Sequence, residues 1–115
     1  MIMKKIASIS AGLLLLLSTN VFAEDYAASA LEHANSAVVH GKAGHAPVLV
    51  EHAKASLDQA LAASIAAKGI SKNHINAAAK ELQESIDQGG LGQTDAATKH
   101  AEAAVEHLKA SKNKS

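Results

Sequence analysis

The sequence predicts an all-α protein: an up-down antiparallel four-helix bundle built from two helical hairpins, preceded by a signal peptide. Apolar residues recur at helical spacing in four successive segments. Glycine-containing breaks separate the segments, and short breaks make consecutive helices antiparallel neighbours. A pair of helical hairpins that dimerise is the structural alternative.

Residues 1–23 read as a secretory signal peptide. Lys4 and Lys5 give a positive start, the apolar run is densest from Leu13 to Leu17, and Val21, Phe22 and Ala23 fit the small-x-small pattern before a cleavage site. The run is short for a membrane span, although an uncleaved anchor is the competing reading. Export to the periplasm follows, with no membrane contact after cleavage. Residues 24–110 form one helical domain, and residues 111–115 are a polar, frayed tail.

Removal of residues 1–23 leaves 92 residues with nine lysines against eleven acids, and no arginine or cysteine anywhere. A phosphate-binding surface needs clustered positive charge, so nucleic acid is excluded as a partner. Thiolate metal sites, cysteine catalysis and haem attachment through paired cysteines are excluded too. Tyr26 is the one aromatic residue left, so the core must be built from Ala, Leu, Val and Ile. Such a core is small, and its stability without a ligand is marginal.

The first helix spans Asp25 to His40 with Leu31, Ala34 and Val38 on one stripe, and Gly41 is placed as its C-terminal cap. Pro47 suits the first turn of the second helix, whose stripe is Val50, Ala53, Leu57, Ala60 and Leu61, running to about Lys68. Gly69 ends it. Ser71 is the expected N-cap of a third helix carrying Ile75, Ala79, Leu82 and Ile86. Gly89, Gly90, Leu91 and Gly92 read as a loop. Thr94 caps a fourth helix with Asp95 in its first turn and Ala101, Val105 and Leu108 inward.

The histidines follow a rule. Ser56-Leu57-Asp58-Gln59 recurs as Ser85-Ile86-Asp87-Gln88, and the same offset carries His45 onto His74 and His52 onto Glu81. His33 and His40 recur as His100 and His107 within a matching alanine-rich frame. One unit, a histidine followed seven residues later by His or Glu, therefore appears four times, as duplication of a short helical unit would leave it. Seven residues is nearly two turns, which puts both side chains on one face but roughly 10 Å apart along the axis. Histidine–metal bonds are about 2.0–2.1 Å, so no single helix chelates an ion through two of these histidines.

Neighbouring helices supply the second donor. Facing residues of an antiparallel hairpin have a constant sum of positions, which pairs His40 with His45 and His33 with His52 in the first hairpin. In the second it pairs His74 with His107 and Glu81 with His100. All eight lie beside the apolar stripe. These rungs are the candidate metal sites, weighed against ordinary surface histidines. Glu32, Glu51 and Glu106 each precede a rung histidine, but adjacent helical residues point about 100° apart, so solvated charges describe them better than ligands. Imidazole suits Cu(II), Ni(II) and Zn(II), with copper favoured by raw affinity. Two nitrogens per rung imply several ions per chain, moderate affinity and poor selectivity. Binding should fail as imidazole protonates below about pH 6.5.

No Ser–His–Asp arrangement or phosphate-cradling loop is visible, so an enzyme is not expected. The functional alternative is a periplasmic interaction or chaperone-like helical protein whose histidines sense acid.

The stretch beginning Glu32-His33-Ala34 and continuing through Val38-Val39-His40-Gly41-Lys42-Ala43-Gly44-His45-Ala46-Pro47-Val48-Leu49-Val50-Glu51-His52-Ala53 resembles the small metal-binding protein family of bacterial periplasms. The resemblance extends over the leader and the mature chain, and the first hairpin is its specific part. It implies a monomeric four-helix bundle that binds several divalent ions, chiefly copper, in metal sequestration and tolerance. That role passes by resemblance to His33, His40, His45 and His52, then to His100 and His107. The family pattern is richer in histidine, so Glu81 marks a lost or altered site.

Overall fold

A computed structural model describes residues 23–112. They form α1 (Ala23–Lys42), α2 (Ala46–Ala66), α3 (Gly69–Gly90) and α4 (Thr94–Ser111), with no strand among the described residues. The helices pack in ring order: α1 on α2, α2 on α3, α3 on α4 and α4 back on α1. The fold is thus the four-helix bundle of two hairpins that the periodicity predicts. The groove between α1 and α2 lies on the opposite flank from the groove between α3 and α4. Among the described residues no helix is long and apolar enough to cross a membrane. Residues 1–22 of the expected leader and the last three tail residues lie outside the described residues, while Ala23 is the first residue of α1. Ser111, read above as tail, closes α4: it is buried and its hydroxyl donates to the Leu108 carbonyl at 2.7 Å.

Both hairpin turns are the same motif. His45 N–H bonds His40 O at 2.9 Å and Gly44 N–H bonds Gly41 O at 3.0 Å, while Gln93 N–H bonds Gln88 O at 2.8 Å and Gly92 N–H bonds Gly89 O at 3.0 Å. This is the Schellman pattern, whose αL position falls to Gly44 (φ 82°) and Gly92 (φ 79°). Pro47 stands in the first turn of α2, where its missing N–H costs nothing.

The cap expected at Gly41 is therefore at Gly44, and Gly41 lies inside α1. So do Gly89 and Gly90 inside α3, which shortens the expected second loop. Gly41 serves packing instead. A Cβ there would collide with the Thr98 hydroxyl and come within 2.7 Å of Leu49 Cδ1; at Gly89 it would stand 2.5 Å from Val50 Cγ2. The α2–α3 connection is tighter than the sequence suggests. Only Ala67 and Lys68 lie between the helices, Gly69 enters α3 at φ 60°, and Lys68, not Ser71, is the N-cap. Lys72 Nζ donates to the Ser64 carbonyl at 2.6 Å across this turn. Gln93 rather than Thr94 caps α4, one residue from the expected position.

The core is built by size complementarity. Shifting the first hairpin by the spacing from Gly44 to Gly92 places each of its buried helical positions on a buried position of the second. At four of these ten equivalent positions a large residue in one hairpin stands where the other has a small one: Ile75 for Ala27, Leu82 for Ala34, Leu49 for Ala97 and Leu108 for Ala60. The interior face of α1 is only Ala27, Ala30, Ala34, Ala37 and Gly41. Alternating volumes fill a core to native density without strain. This overrides hydropathy on α2. Leu61, expected inward, is 50% exposed, while Ser56 is fully buried. Ser56 Oγ donates to the Ala30 carbonyl of α1 at 2.6 Å, and Ser85 Oγ donates to the Ala97 carbonyl of α4 at 2.7 Å. Each hairpin thus contains one buried hydroxyl bonded to the facing backbone.

Gly41→Ala is expected to destabilise by about 1–3 kcal/mol through overpacking, a fall in Tm of at least about 4 °C for a domain of this size. Combined with Thr98→Ala it should be non-additive, recovering part of the loss. Thermal melts of the two singles and the double check this; an unchanged Tm for Gly41→Ala would contradict the close α1–α4 contact.

Candidate metal centre

Each histidine is held on a flank by the core face beside it. His33 and His40 follow the Ala34 and Ala37 edge of α1, and His52 precedes Ala53 on α2. His74 precedes Ile75 on α3, while His100 and His107 precede Ala101 and Leu108 on α4. Burying one edge of each helix leaves these rings half-buried in the hairpin grooves. His45, at the N-cap of α2, is exposed.

All four facing pairs are adjacent. Ring centroids are 5.8 Å apart for His33 and His52, 6.2 Å for His40 and His45, and 5.7 Å for His74 and His107. Glu81 Oε1 lies 2.7 Å from His100 Nδ1. With metal–nitrogen bonds of 2.0–2.1 Å, two imidazoles on one ion place their centroids about 5.2 Å apart at a tetrahedral angle and about 6.4 Å apart when linear. The three facing imidazole pairs fall inside that limit, and His40 with His45 lies nearest its stretched end.

The His74–His107 pair is closest to a ready bite. Its two Nδ1 atoms are 3.5 Å apart, against about 3.4 Å for two nitrogens on a tetrahedral ion. The pair offers two donors, and among the described residues no three His, Asp or Glu side chains converge on one point. Any ion here takes its remaining ligands from solvent or from outside the chain.

The facing-pair rule makes Glu81 an oxygen donor sharing an ion with His100. In the structure it accepts the Nδ1–H of His100, and both side chains are about one-third exposed. That contact leaves the Nε2 lone pair as the ring's open donor. A carboxylate on the far nitrogen is the usual way to fix the tautomer and orientation of a ligating histidine. Glu32, Glu51 and Glu106 are exposed on the outer faces, as solvated helix charges should be.

One contact was missed by the facing-pair rule. His40 and His52 are not opposite one another, yet their centroids are 5.3 Å apart with planes within 4° of parallel, the shortest ring separation of all. Helical side chains tilt toward the N-terminus of their own helix. His40 therefore leans away from the α1–α2 turn and His52 leans toward it, closing the gap between successive rungs. The tilt is a general property, so the signal was present in the sequence once the hairpin was known.

The two grooves are not equivalent. Matched turn to turn, the first has Tyr26 facing Gln59 at its far end, then His33 facing His52, then His40 facing His45. The second has His74 facing His107 at the far end, then Glu81 facing His100, then Gln88 facing Gln93 by the turn. Both turns sit at the same end of the bundle, so the histidines are concentrated toward opposite ends of opposite flanks.

Fold and side-chain geometry together define a helical bundle whose distinguishing chemistry is facing imidazole pairs in its two hairpin grooves. A family model described as small metal-binding protein matches residues 3–111, and the chain belongs to this family. Comparison with curated proteins gives no match.

In the metal-free protein at about pH 8, where imidazole is neutral, nitrogen NMR should find His100 protonated on Nδ1, and Glu81→Ala should release the ring to a tautomer mixture. An Nε2-protonated His100 in the unaltered chain would rule out the positioning role of Glu81.

Proposed function

We propose that this protein binds, buffers or sequesters divalent transition-metal ions in the periplasm, Cu(II) foremost and also Ni(II) and Zn(II), and so contributes to metal tolerance. The observation that carries the reading is the His74–His107 pair, whose Nδ1 atoms stand 3.5 Å apart across the α3–α4 groove. Two further imidazole pairs face each other along the first groove, and in the second Glu81 holds His100 through Nδ1. The donors are imidazole and carboxylate without thiolate, which favours Cu(II), Ni(II) and Zn(II) over Cu(I).

The chain takes up several ions as a monomer and performs no turnover. Two protein donors per pair leave coordination positions to water, which gives moderate affinity and ready exchange, as a buffer requires. Each ion links two helices, so metal stabilises the folded state. At a free concentration one hundred times Kd a single site adds about 2.7 kcal/mol. Because only neutral imidazole ligates, protons compete with metal and release follows acidification.

Thermal melts and isothermal titration at neutral pH test this. Cu(II), Ni(II) and Zn(II) should each raise the Tm, and His74→Ala with His107→Ala should remove about one equivalent of copper. A Tm that responds to pH and to none of the three metals would reject the proposal and favour an acid-sensing adaptor instead.

A further inference from the structure

The imidazoles of the first-hairpin groove are not two separate pairs. Its rings form an unbroken series: His33 to His52 at 5.8 Å, His52 to His40 at 5.3 Å, and His40 to His45 at 6.2 Å. The two inner rings, His40 and His52, each have a neighbour on either side, while His33 and His45 have one each. An ion held by His40 and His52 therefore uses up a donor from both facing pairs. Two ions can be accommodated only across the facing pairs, with the inner contact broken.

We propose that this groove is an imidazole ladder that loads in two modes: one ion on the diagonal His40–His52 pair at low metal, and two ions across His33–His52 and His40–His45 at high metal. The inference rests on the metal-binding reading above and concerns the order and coupling of loading.

Three observations favour the diagonal for the first ion. Its centroid separation of 5.3 Å is the shortest in the groove, so it needs the least closure to reach the roughly 4.5 Å of two cis imidazoles on a tetragonal Cu(II). Both of its rings are half-buried on packed helix flanks, whereas His45 is exposed beside the turn. The backbone tilt of the two helices drives these two side chains together and the outer two apart. The parallel rings must turn about χ2 to aim their nitrogens at one point, and that torsion is soft.

Loading the second ion requires His40 and His52 to exchange partners. The second ion must disrupt the first and binds more weakly, so the groove stays in its one-ion state until metal is abundant. The second hairpin lacks this coupling. Its His74–His107 pair is followed by Glu81, whose carboxylate is bonded to His100, so no run of four imidazoles exists there.

Copper titration of a chain carrying His74→Gln, His100→Gln and His107→Gln isolates the ladder, with circular dichroism confirming helix content. Two unequal equivalents are expected, the second weaker than the first. Adding His33→Ala and His45→Ala should leave the first equivalent within about a factor of two, the scatter of independent sites, and abolish the second. Adding His40→Ala and His52→Ala instead should weaken the first equivalent at least about tenfold, because the second imidazole acts as a tethered ligand. Dipolar broadening in the copper resonance spectrum should be absent at one equivalent and appear at two. Loss of the first equivalent in the His33→Ala, His45→Ala chain, or two identical equivalents in the parent, would overturn the ladder while leaving metal binding intact. A failure of the unaltered protein to bind copper would overturn the metal-binding reading itself.

Discussion

The close approach of the helices governs everything else in this molecule. Ser56 Oγ and Ser85 Oγ each reach the backbone carbonyl of the facing helix at 2.6 and 2.7 Å. A serine side chain is too short to do so unless the axes lie near the small end of the packing range, about 8 Å. Alanine along the interior of α1, and glycine where Thr98 and Val50 press in, make that spacing possible. The same spacing brings imidazoles on the two rims of a groove to 5–6 Å from one another. A core of leucine and phenylalanine would push the helices apart and separate the rings beyond the reach of one ion.

The core is nearly two-fold symmetric and the grooves are not. Every buried helical position of the first hairpin has a buried counterpart in the second, and at four of them a large residue in one hairpin replaces a small one in the other. The rim positions obey no such correspondence: the turn-proximal pair of one hairpin is His40 with His45, and of the other Gln88 with Gln93. Packing constrains the interior because volume must be conserved there. The half-buried rims are free to carry different donors, and the two grooves consequently differ in how their donors are linked.

Several elements were misplaced by reading apolar residues as inward. Leu61 is larger and more hydrophobic than Ser56, yet Ser56 is buried, because the gap between α1 and α2 admits only a small side chain that can satisfy its own hydroxyl. Gly41 reads as a stop signal by residue type alone. Its real function depends on Thr98, more than fifty residues away, which no local pattern reveals. Ser71 is a good capping residue in the wrong place, since Lys68 is the N-cap and the left-handed Gly69 starts α3 three residues before a Ser71 cap would.

Helix number, hairpin pairing and the four facing donor pairs were legible in the amino-acid order. Short turns force antiparallel neighbours, and an antiparallel pair fixes which positions face each other by simple addition. What the order could not supply was distance and direction. Tertiary packing set how near the rims stand, so that the tilt common to helical side chains closes His40 onto His52, and it turned His100 onto Glu81. Facing is a matter of register, which a linear code carries. Proximity depends on the volumes of residues distant in sequence, and those meet only in the folded bundle.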